Sequence, residues 1–242
     1  MPATKTGTTM KKSKPFRFRE FTILQELAAF KVTGDSVFLG AWADFSGDRH
    51  ILDLGTGTGL LALMAAQRNP EAQITALEID PASAEDARNN VAFSPWKDRI
   101  TVIEGDFSDF SSPVLFDHII CNPPYFSEQL PNPDERLRRA RHTSQDFFRI
   151  LFQKGCEMST AEARLSLIVP EQTFGQLPVQ QWRLARKTIL KTGPGSSKKL
   201  VCAEFCKKAA DAPHISELYI RNKDGYTKEY LEQTRDFYLF AP

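Results

Sequence analysis

The sequence predicts an α/β fold in which a mostly parallel sheet has helices on both faces. Short runs of aliphatic and β-branched residues recur along the chain and indicate buried strands. Segments with helical spacing separate the first of these runs, as in successive βαβ units. The first buried strand, residues 50–55, leads through a glycine-rich turn into a strongly helix-forming segment. That combination is the opening unit of a nucleotide-binding α/β sheet.

Composition excludes several classes of protein. The chain has 242 residues, of which 41% are hydrophobic and 25% charged, which suits one large globular domain. It has no apolar run of membrane-spanning length and no signal-peptide core, so we predict a cytoplasmic protein without a membrane partner. The four cysteines form no Cys-x-x-Cys pair, which predicts reduced thiols and no metal site. We expect a monomer rather than an obligate oligomer.

The N-terminal region divides into an arm and an extension. Residues 1–15 are rich in Lys, Thr and Ser and contain no acidic residue, which predicts a disordered basic arm. Residues 16–242 are predicted to form one domain with a short N-terminal extension. Apolar residues alternate at 16–21, indicating a short strand or hairpin, and residues 37–45 have helical spacing.

The remaining elements follow in order. Strands are predicted at 50–55, 74–80, 100–106, 116–121 and 164–169, and helices at 60–67, 81–92 and 145–158. Pro81 occupies the first turn of its helix, a favoured position. Residues 174–187 are predicted to be helical despite Pro178. Late antiparallel strands are predicted at 188–190, 200–205 and 218–220, and a terminal helix at 227–237.

The glycine-rich turn has the order Gly55-x-Gly57-x-Gly59 and is preceded by Asp53. The dinucleotide fingerprint is instead Gly-x-Gly-x-x-Gly, and its pyrophosphate would be repelled by a carboxylate at this position. The same carboxylate would accept a hydrogen bond from the ammonium group of a methionine moiety. The pattern therefore favours S-adenosylmethionine over NAD as the cofactor.

Acidic residues also end the next two strands. Glu78 lies about 20 positions after the first glycine, the spacing of a carboxylate that binds ribose hydroxyls. Asp106 would accept from the adenine amino group with Phe107 against the ring, although a turn-forming Asp is an equal alternative. The predicted cofactor-binding residues are Asp53, Gly55, Thr56, Gly57, Gly59, Glu78, Ile79, Asp106 and Phe107.

The strand at 116–121 ends in Asn122-Pro123-Pro124-Tyr125. Two consecutive prolines stop a sheet ladder, and ligands bind at the carboxyl ends of parallel strands. The Asn122 side-chain oxygen and the Pro123 carbonyl would accept the two N–H groups of an exocyclic amine and aim its lone pair at an electrophilic methyl group. Tyr125 would stack on the base. The alternative is a proline-rich turn with a chance asparagine.

The chain resembles the class I S-adenosylmethionine-dependent methyltransferases, because the glycine turn, the acidic strand end and Asn-Pro-Pro-Tyr follow one another in the order typical of that family. The resemblance implies a Rossmann-like, mostly parallel sheet of seven strands with an antiparallel final strand. Further segments resemble the bacterial tRNA1(Val) adenine-N6-methyltransferase family: Lys31-Val32 and residues 39–43, 94–96, 169–172 and 237–240. That family methylates the adenosine at position 37, next to the anticodon. It usually has Gly-Thr-Asp after Lys-Val, where this chain has Thr33-Gly34-Asp35.

Basic residues indicate where tRNA would bind. A stacked adenine must be flipped out, at a cost of a few kcal/mol that phosphate contacts must offset. The first basic set follows the Asn-Pro-Pro-Tyr segment and includes the predicted RNA contacts Arg138, Arg139 and Arg141. The second basic set comprises Arg183, Arg186, Lys187, Lys191, Lys198, Lys199, Lys207 and Lys208. A solvated surface is the alternative for both sets.

Two other functions fit parts of the sequence. The Asn-Pro-Pro-Tyr geometry accepts any planar amine, so a protein glutamine amide is an alternative substrate. A nicotinamide-dependent oxidoreductase would share the first βαβ unit, but the sequence has no evident hydride-transfer constellation. His118 lies within a buried strand and is predicted to be a packed core histidine rather than a catalyst.

Overall fold

The computed structural model describes residues 14–123, 144–197, 199–208 and 212–239. An antiparallel pair, β1 (Phe16–Arg17) and β2 (Thr22–Ile23), confirms the predicted N-terminal hairpin. Helix α1 (Gly34–Trp42) follows where helical spacing was predicted. Nearly all of the predicted basic arm falls outside the described residues.

The main sheet has eight strands among the described residues. They are β3 (His50–Leu54), β4 (Gln73–Glu78), β5 (Ile100–Glu104), β6 (Phe116–Cys121), β7 (Ser159–Pro170), β8 (Arg183–Lys191), β9 (Lys199–Cys206) and β10 (His214–Tyr219). Their spatial order is β10-β8-β9-β7-β6-β3-β4-β5. Strands β5, β4, β3, β6 and β7 are parallel, β9 is antiparallel to both of its neighbours, and β10 is parallel to β8.

Within the described ranges, five further helices follow α1: α2 (Leu60–Arg68), α3 (Pro81–Ala92), α4 (Ser144–Glu157), α5 (Glu171–Phe174) and α6 (Lys228–Thr234). A short 3₁₀ turn (Lys97–Arg99) precedes β5, and a small pair, β11 (Arg221–Asn222) and β12 (Gly225–Tyr226), precedes α6.

Alternate strand residues pack against helices on opposite faces of the sheet. Ile51 and Ile120 belong to a core formed with α1, α2 and α6. Leu52 and Ile119, one position away in each strand, belong to a second core that includes Phe152 of α4. This alternation is the period-two geometry of a strand buried on both faces, and it confirms the predicted helices on both sides.

The sheet differs from the prediction in three places. It has eight strands rather than seven, because β10 extends the edge beyond β8. Of the three late strands predicted to be antiparallel, only β9 is antiparallel to both of its neighbours, and β10 is parallel to β8. The helix predicted at 174–187 is wrong: only Glu171–Phe174 is helical there, and Arg183–Lys191 is a strand. Pro178 removes a helical hydrogen bond, and pairing of β8 with both β9 and β10 outweighs the helical spacing of its side chains.

The topology creates a crevice between β3 and β6. From β3 the chain proceeds outward through β4 to β5 and then returns to β6 on the opposite side of β3. Ligands bind outside the carboxyl ends of the strands at such a switch point. Leu54 pairs with Cys121, so Gly55 and Asn122 follow directly from neighbouring strand ends.

Candidate active site

The glycine turn after β3 leaves bare backbone at the crevice. Gly55, Gly57 and Gly59 have φ angles of +70°, +57° and +82°, a region that favours glycine. A Cβ at Gly55 or Gly57 would meet no atom within 4 Å, whereas one at Gly59 would lie 3.5 Å from Ala87 of α3. The first two glycines therefore face open space, and the third allows the turn to pack closely on α3. The N–H groups of Gly55 and Thr56 donate to Leu77 O at 2.9 and 3.0 Å, which fixes the turn to β4.

Asp53 lies fully buried beneath this turn. Its Oδ2 accepts from the Thr56 hydroxyl at 2.5 Å and from the Ala62 N–H at 2.9 Å. Its Oδ1 is buried and has no hydrogen-bond partner among the described residues. Burial raises the pKa of Asp53 to about 7, against the lowering effect of those two hydrogen bonds. A buried oxygen without a donor is rare in folded proteins, and this one lies beside the glycine turn at the crevice.

Glu78 connects the end of β4 to the glycine turn. Its Oε2 accepts from the Gly57 N–H at 2.8 Å, and its Oε1 accepts from the Asp80 N–H at 2.9 Å. Burial raises the pKa of this carboxyl group, and the two backbone hydrogen bonds oppose the shift. The next residue, Ile79, is 43% exposed and provides an apolar surface beside the carboxylate.

Asp106 and Phe107 lie at the neighbouring end of β5. Asp106 Oδ1 accepts from the Ser108 N–H at 2.8 Å, which is the turn-forming role considered as the alternative. Phe107 is 7% exposed and belongs to the core beside α4, where Lys154 Nζ lies 5.7 Å from its ring centroid. Ile79 therefore exposes more apolar surface at this edge than Phe107 does, and a cofactor contact for Phe107 stays a prediction.

Asn122 and Pro123 follow β6 at the other side of the crevice. The Asn122 Oδ1 atom is buried and accepts no hydrogen bond from any described residue. Pro123 is buried, and the strand before it is buried as well. Two of the three unpartnered buried polar atoms in the described residues, Asp53 Oδ1 and Asn122 Oδ1, thus belong to adjacent strand ends. Tyr125, Arg138, Arg139 and Arg141 lie outside the described residues.

Asn90 on α3 holds the glycine turn and was missed in the sequence. Its Nδ2 donates to Thr58 O at 2.9 Å and to Leu24 O at 2.8 Å, while its Oδ1 accepts from the Leu24 N–H at 2.7 Å. On the same helix face, Asp86 Oδ2 accepts from the N–H groups of Leu27 and Ala28, both at 2.8 Å. The sequence signal was a polar stripe at helical spacing on a face that is buried.

Thr33 and His118 both have contacts that stabilise the fold. Thr33 is the N-cap of α1, where its hydroxyl accepts from the Ser36 N–H at 3.4 Å and the Ser36 hydroxyl accepts from the Thr33 N–H at 3.2 Å. His118 is fully buried between Asp48 Oδ2 and Ser166 Oγ, each at 2.9 Å, which confirms a packed core histidine.

The described residues include neither a metal-ligand cluster nor a membrane-spanning helix. They contain no group of three His, Cys, Asp or Glu side chains suited to a metal ion. Within the same ranges, every helix is too short or too polar to span a bilayer.

Comparison with known proteins gives the family to which the chain is similar. The methyltransferase small domain family matches residues 34–139. A tRNA1(Val) (adenine(37)-N6)-methyltransferase from Bacteroides thetaiotaomicron is 39% identical over 229 residues, covering 93% of this chain and 97% of the relative. The protein of the same name from Vibrio parahaemolyticus is 37% identical over 233 residues, covering 94% and 96%.

Solved structures show the same fold at low identity. A predicted O-methyltransferase from Agrobacterium tumefaciens has a TM-score of 0.60 at 21% identity, covering 84% of this chain and 96% of that one. The TYW2 protein of Pyrococcus horikoshii, solved in complex with MeSAdo, has a TM-score of 0.55 at 15% identity, covering 81% and 72%.

The sheet order and the crevice at the glycine turn place the chain among the Rossmann-like class I methyltransferases. Similarity to curated relatives extends well beyond the catalytic core, over more than nine-tenths of the chain. The chain belongs to the tRNA1(Val) (adenine(37)-N6)-methyltransferase family.

Proposed function

We propose that this protein transfers a methyl group from S-adenosylmethionine to N6 of adenine 37 in tRNA1(Val). The observation that carries the proposal is the buried, unpartnered Asn122 Oδ1 at the end of β6. It lies beside a glycine turn with a second unpartnered acceptor, Asp53 Oδ1. The curated relatives are named for this activity. Because the proposed substrate is a tRNA, we place the reaction in the cytoplasm, and we expect a monomeric enzyme.

The residues around the glycine turn fit S-adenosylmethionine. The Asp53 carboxylate would accept from the methionine ammonium group, and the Glu78 carboxylate would accept from the ribose hydroxyls. The bare backbone of Gly55 and Gly57 allows close approach, since a Cβ there would project into open space. The exposed Ile79 would contact the adenine ring, and Asp106 would accept from its amino group. When bound, the cofactor supplies a methyl group on a positively charged sulfur atom, which makes that carbon electrophilic.

Asn122 and Pro123 would orient the target nitrogen. The lone pair of an adenine N6 is delocalised into the ring, so the amine is a weak nucleophile. The Asn122 Oδ1 atom and the Pro123 carbonyl would each accept one of its N–H groups, which favours a pyramidal nitrogen with its lone pair directed at the methyl carbon. This positioning stabilises the transition state, where positive charge grows on the nitrogen. No strong base is required, because the proton leaves only after the nitrogen has become cationic.

The test is methylation of two matched transcripts. The purified chain is incubated with labelled S-adenosylmethionine and an unmodified tRNA1(Val) transcript, or with the same transcript carrying guanosine at position 37. Nucleoside mass spectrometry should detect N6-methyladenosine in the first transcript alone. Equal labelling of both transcripts would refute the site assignment. Labelling of a release-factor glutamine but not of tRNA would favour the protein substrate, and stabilisation by NADH rather than S-adenosylhomocysteine would favour an oxidoreductase.

A further inference from the structure

The turn between β8 and β9 lies at the same edge of the sheet as Asn122. Strand β7 is parallel to β6, so its last residue, Pro170, lies at the edge where Asn122 follows β6. Pro170 pairs with Leu200 at the start of β9, and Leu200 pairs with Leu190 at the end of β8. Lys191 and Lys199, which pair with each other, therefore lie at the edge that contains the crevice.

The described members of the second basic set are thus spread along the strands between two edges, and Lys198 lies outside the described residues. Arg183 pairs with Cys206 at the amino end of β8, and Lys207 and Lys208 follow directly from there. At about 3.3 Å per residue, the length of β8 separates Arg183 from Lys191 by about 25 Å. Arg186 and Lys187 lie midway between them, and the partly exposed Arg186 pairs with the buried Glu204 at 3.0 Å.

One face of β8 and β10 runs from the middle of β8 to the crevice edge, carries two lysines and is partly exposed to solvent. Three cross-strand pairs form it: Lys187 with Ile215, Ile189 with Glu217, and Lys191 with Tyr219. Ile215 is 56% exposed and Tyr219 is 39% exposed. The intervening residue Leu218 points the other way and packs against the buried core.

The lysines of this face combine charge with aromatic surface. Lys187 Nζ lies 4.8 Å from the centroid of the Phe174 ring, and Lys191 Nζ lies 5.3 Å from that of Tyr219. Among the described residues Lys187 forms no ion pair. Phosphate oxygens can therefore approach a cation that is not paired with a carboxylate in the described part of the chain.

The two remaining lysines are paired only at the surface. Lys191 lies 2.6 Å from Glu217 and Lys199 lies 3.2 Å from Glu171, with the glutamates about half exposed. The lysine side chains are 17% exposed at Lys191 and 38% exposed at Lys199. Ion pairs at the surface are each worth about 0–1 kcal/mol, so a phosphate can replace the half-exposed carboxylate at little cost.

We propose that this face, formed by Lys187, Lys191 and Lys199 with Tyr219 beside them, binds the phosphate backbone of the tRNA stem that carries the target adenine. The inference rests on the proposed function and adds the surface that holds the substrate. Three strand spacings separate β6 from β8, or about 14 Å. When the target adenine of the tRNA loop lies beside Asn122, the stem attached to that loop would extend along the same edge of the sheet and reach β8.

The test compares two triple variants that remove the same charge, one from this face and one from the amino edge of the sheet. The first is K187Q/K191Q/K199Q. The control is R49Q/R183Q/K208Q, in which Arg49 precedes β3 and all three side chains are exposed at the amino edge of the sheet. We expect the first variant to raise the KM for tRNA at least tenfold with little change in kcat. The slope of log Kd against log salt concentration should fall by about 2–3. The control should change KM less than twofold.

Several outcomes would overturn the inference. An unchanged KM in the first variant, or an equal rise in both variants, would exclude a specific contact at this face. A wild-type dimer that the first variant converts to a monomer would assign the face to a second copy of the chain. Thermal stabilisation by S-adenosylhomocysteine confirms that each variant is folded. Failure of the proposed function can be told apart from failure of this inference. If the proposed function is wrong, the wild-type protein does not methylate tRNA, and the two variants are then compared by direct measurement of tRNA binding.

Discussion

Replacing Asp53 by Asn should stabilise the protein while weakening its hold on the cofactor. Asp53 is fully buried, and burial raises its pKa from 3.8 to about 7. The asparagine has nearly the same shape, keeps an oxygen for the Thr56 hydroxyl and the Ala62 N–H, and removes the buried negative charge. The expected gain in stability is therefore electrostatic.

The size of the gain follows from the pKa shift. A rise from 3.8 to about 7 is roughly three units, or about 4 kcal/mol between the two protonation states. Because the folded protein holds this proton more tightly than the unfolded chain, the wild-type stability falls as pH rises from about 4 to about 7. Above that range the full cost of the ionised group is present. At pH 8 we expect the variant to be more stable by about 2–4 kcal/mol, allowing for weaker hydrogen bonds to the neutral amide.

The assay is denaturant unfolding of the wild type and the variant without cofactor, at several pH values from 5 to 8.5. The difference in unfolding free energy should grow with pH up to about 7 and then level off. Asp109→Asn, which removes an exposed carboxylate, is the matched control and should show no such trend. Calorimetry with S-adenosylhomocysteine should show binding to D53N weakened about 10–100-fold, because a charge-assisted hydrogen bond to the ammonium group is lost.

Two results would refute this reasoning. A D53N protein less stable than wild type at pH 8 would mean that the buried charge is compensated by contacts other than Thr56 and Ala62. Unchanged cofactor affinity would remove Asp53 Oδ1 from the binding site. The wild type offers a further check, since binding that requires ionised Asp53 should weaken below about pH 7 and release a proton.

Three other substitutions test separate parts of the site. Asn122→Ala should lower kcat about 100-fold or more, while S-adenosylhomocysteine should bind with unchanged affinity. Weakened cofactor binding in a folded variant would instead place Asn122 on the cofactor side of the site. Asn90→Ala should destabilise the protein by about 1–3 kcal/mol and weaken cofactor binding, because Asn90 holds the glycine turn. The control Asn89→Ala, at an exposed neighbouring position, should do neither, and equal effects of the two variants would contradict this role of Asn90. Gly57→Ala and Gly47→Ala should each cost about 1–2 kcal/mol, because both glycines have positive φ and open surroundings. Of these two only Gly57→Ala should weaken cofactor binding, and a similar loss in Gly47→Ala would point to a global effect.

Local sequence patterns were sufficient to predict which edge of the sheet carries the candidate site. Asp53 lies one residue before the end of β3, Glu78 ends β4 and Asn122 follows β6, and these three strands are neighbours in the sheet. The reason is geometric: parallel strands connected by helices all point the same way, so their carboxyl ends meet at one edge. A residue's position at a strand end therefore predicts its neighbours without knowledge of the distant packing.

Other features depend on contacts between distant parts of the chain. Residues 183–187 have helical spacing but form a strand, because β9 and β10 supply hydrogen bonds that no local pattern records. For the same reason the described lysines and arginines of the second basic set, close in sequence, are spread between two edges once β8 and β9 pair. Asn90 holds the glycine turn through Thr58, a residue 32 positions earlier in the chain. Residue type and order thus predicted the reaction chemistry. Strand pairing and burial decided which surfaces surround the candidate site, because the free energies of pairing and burial come from residues that are remote in sequence.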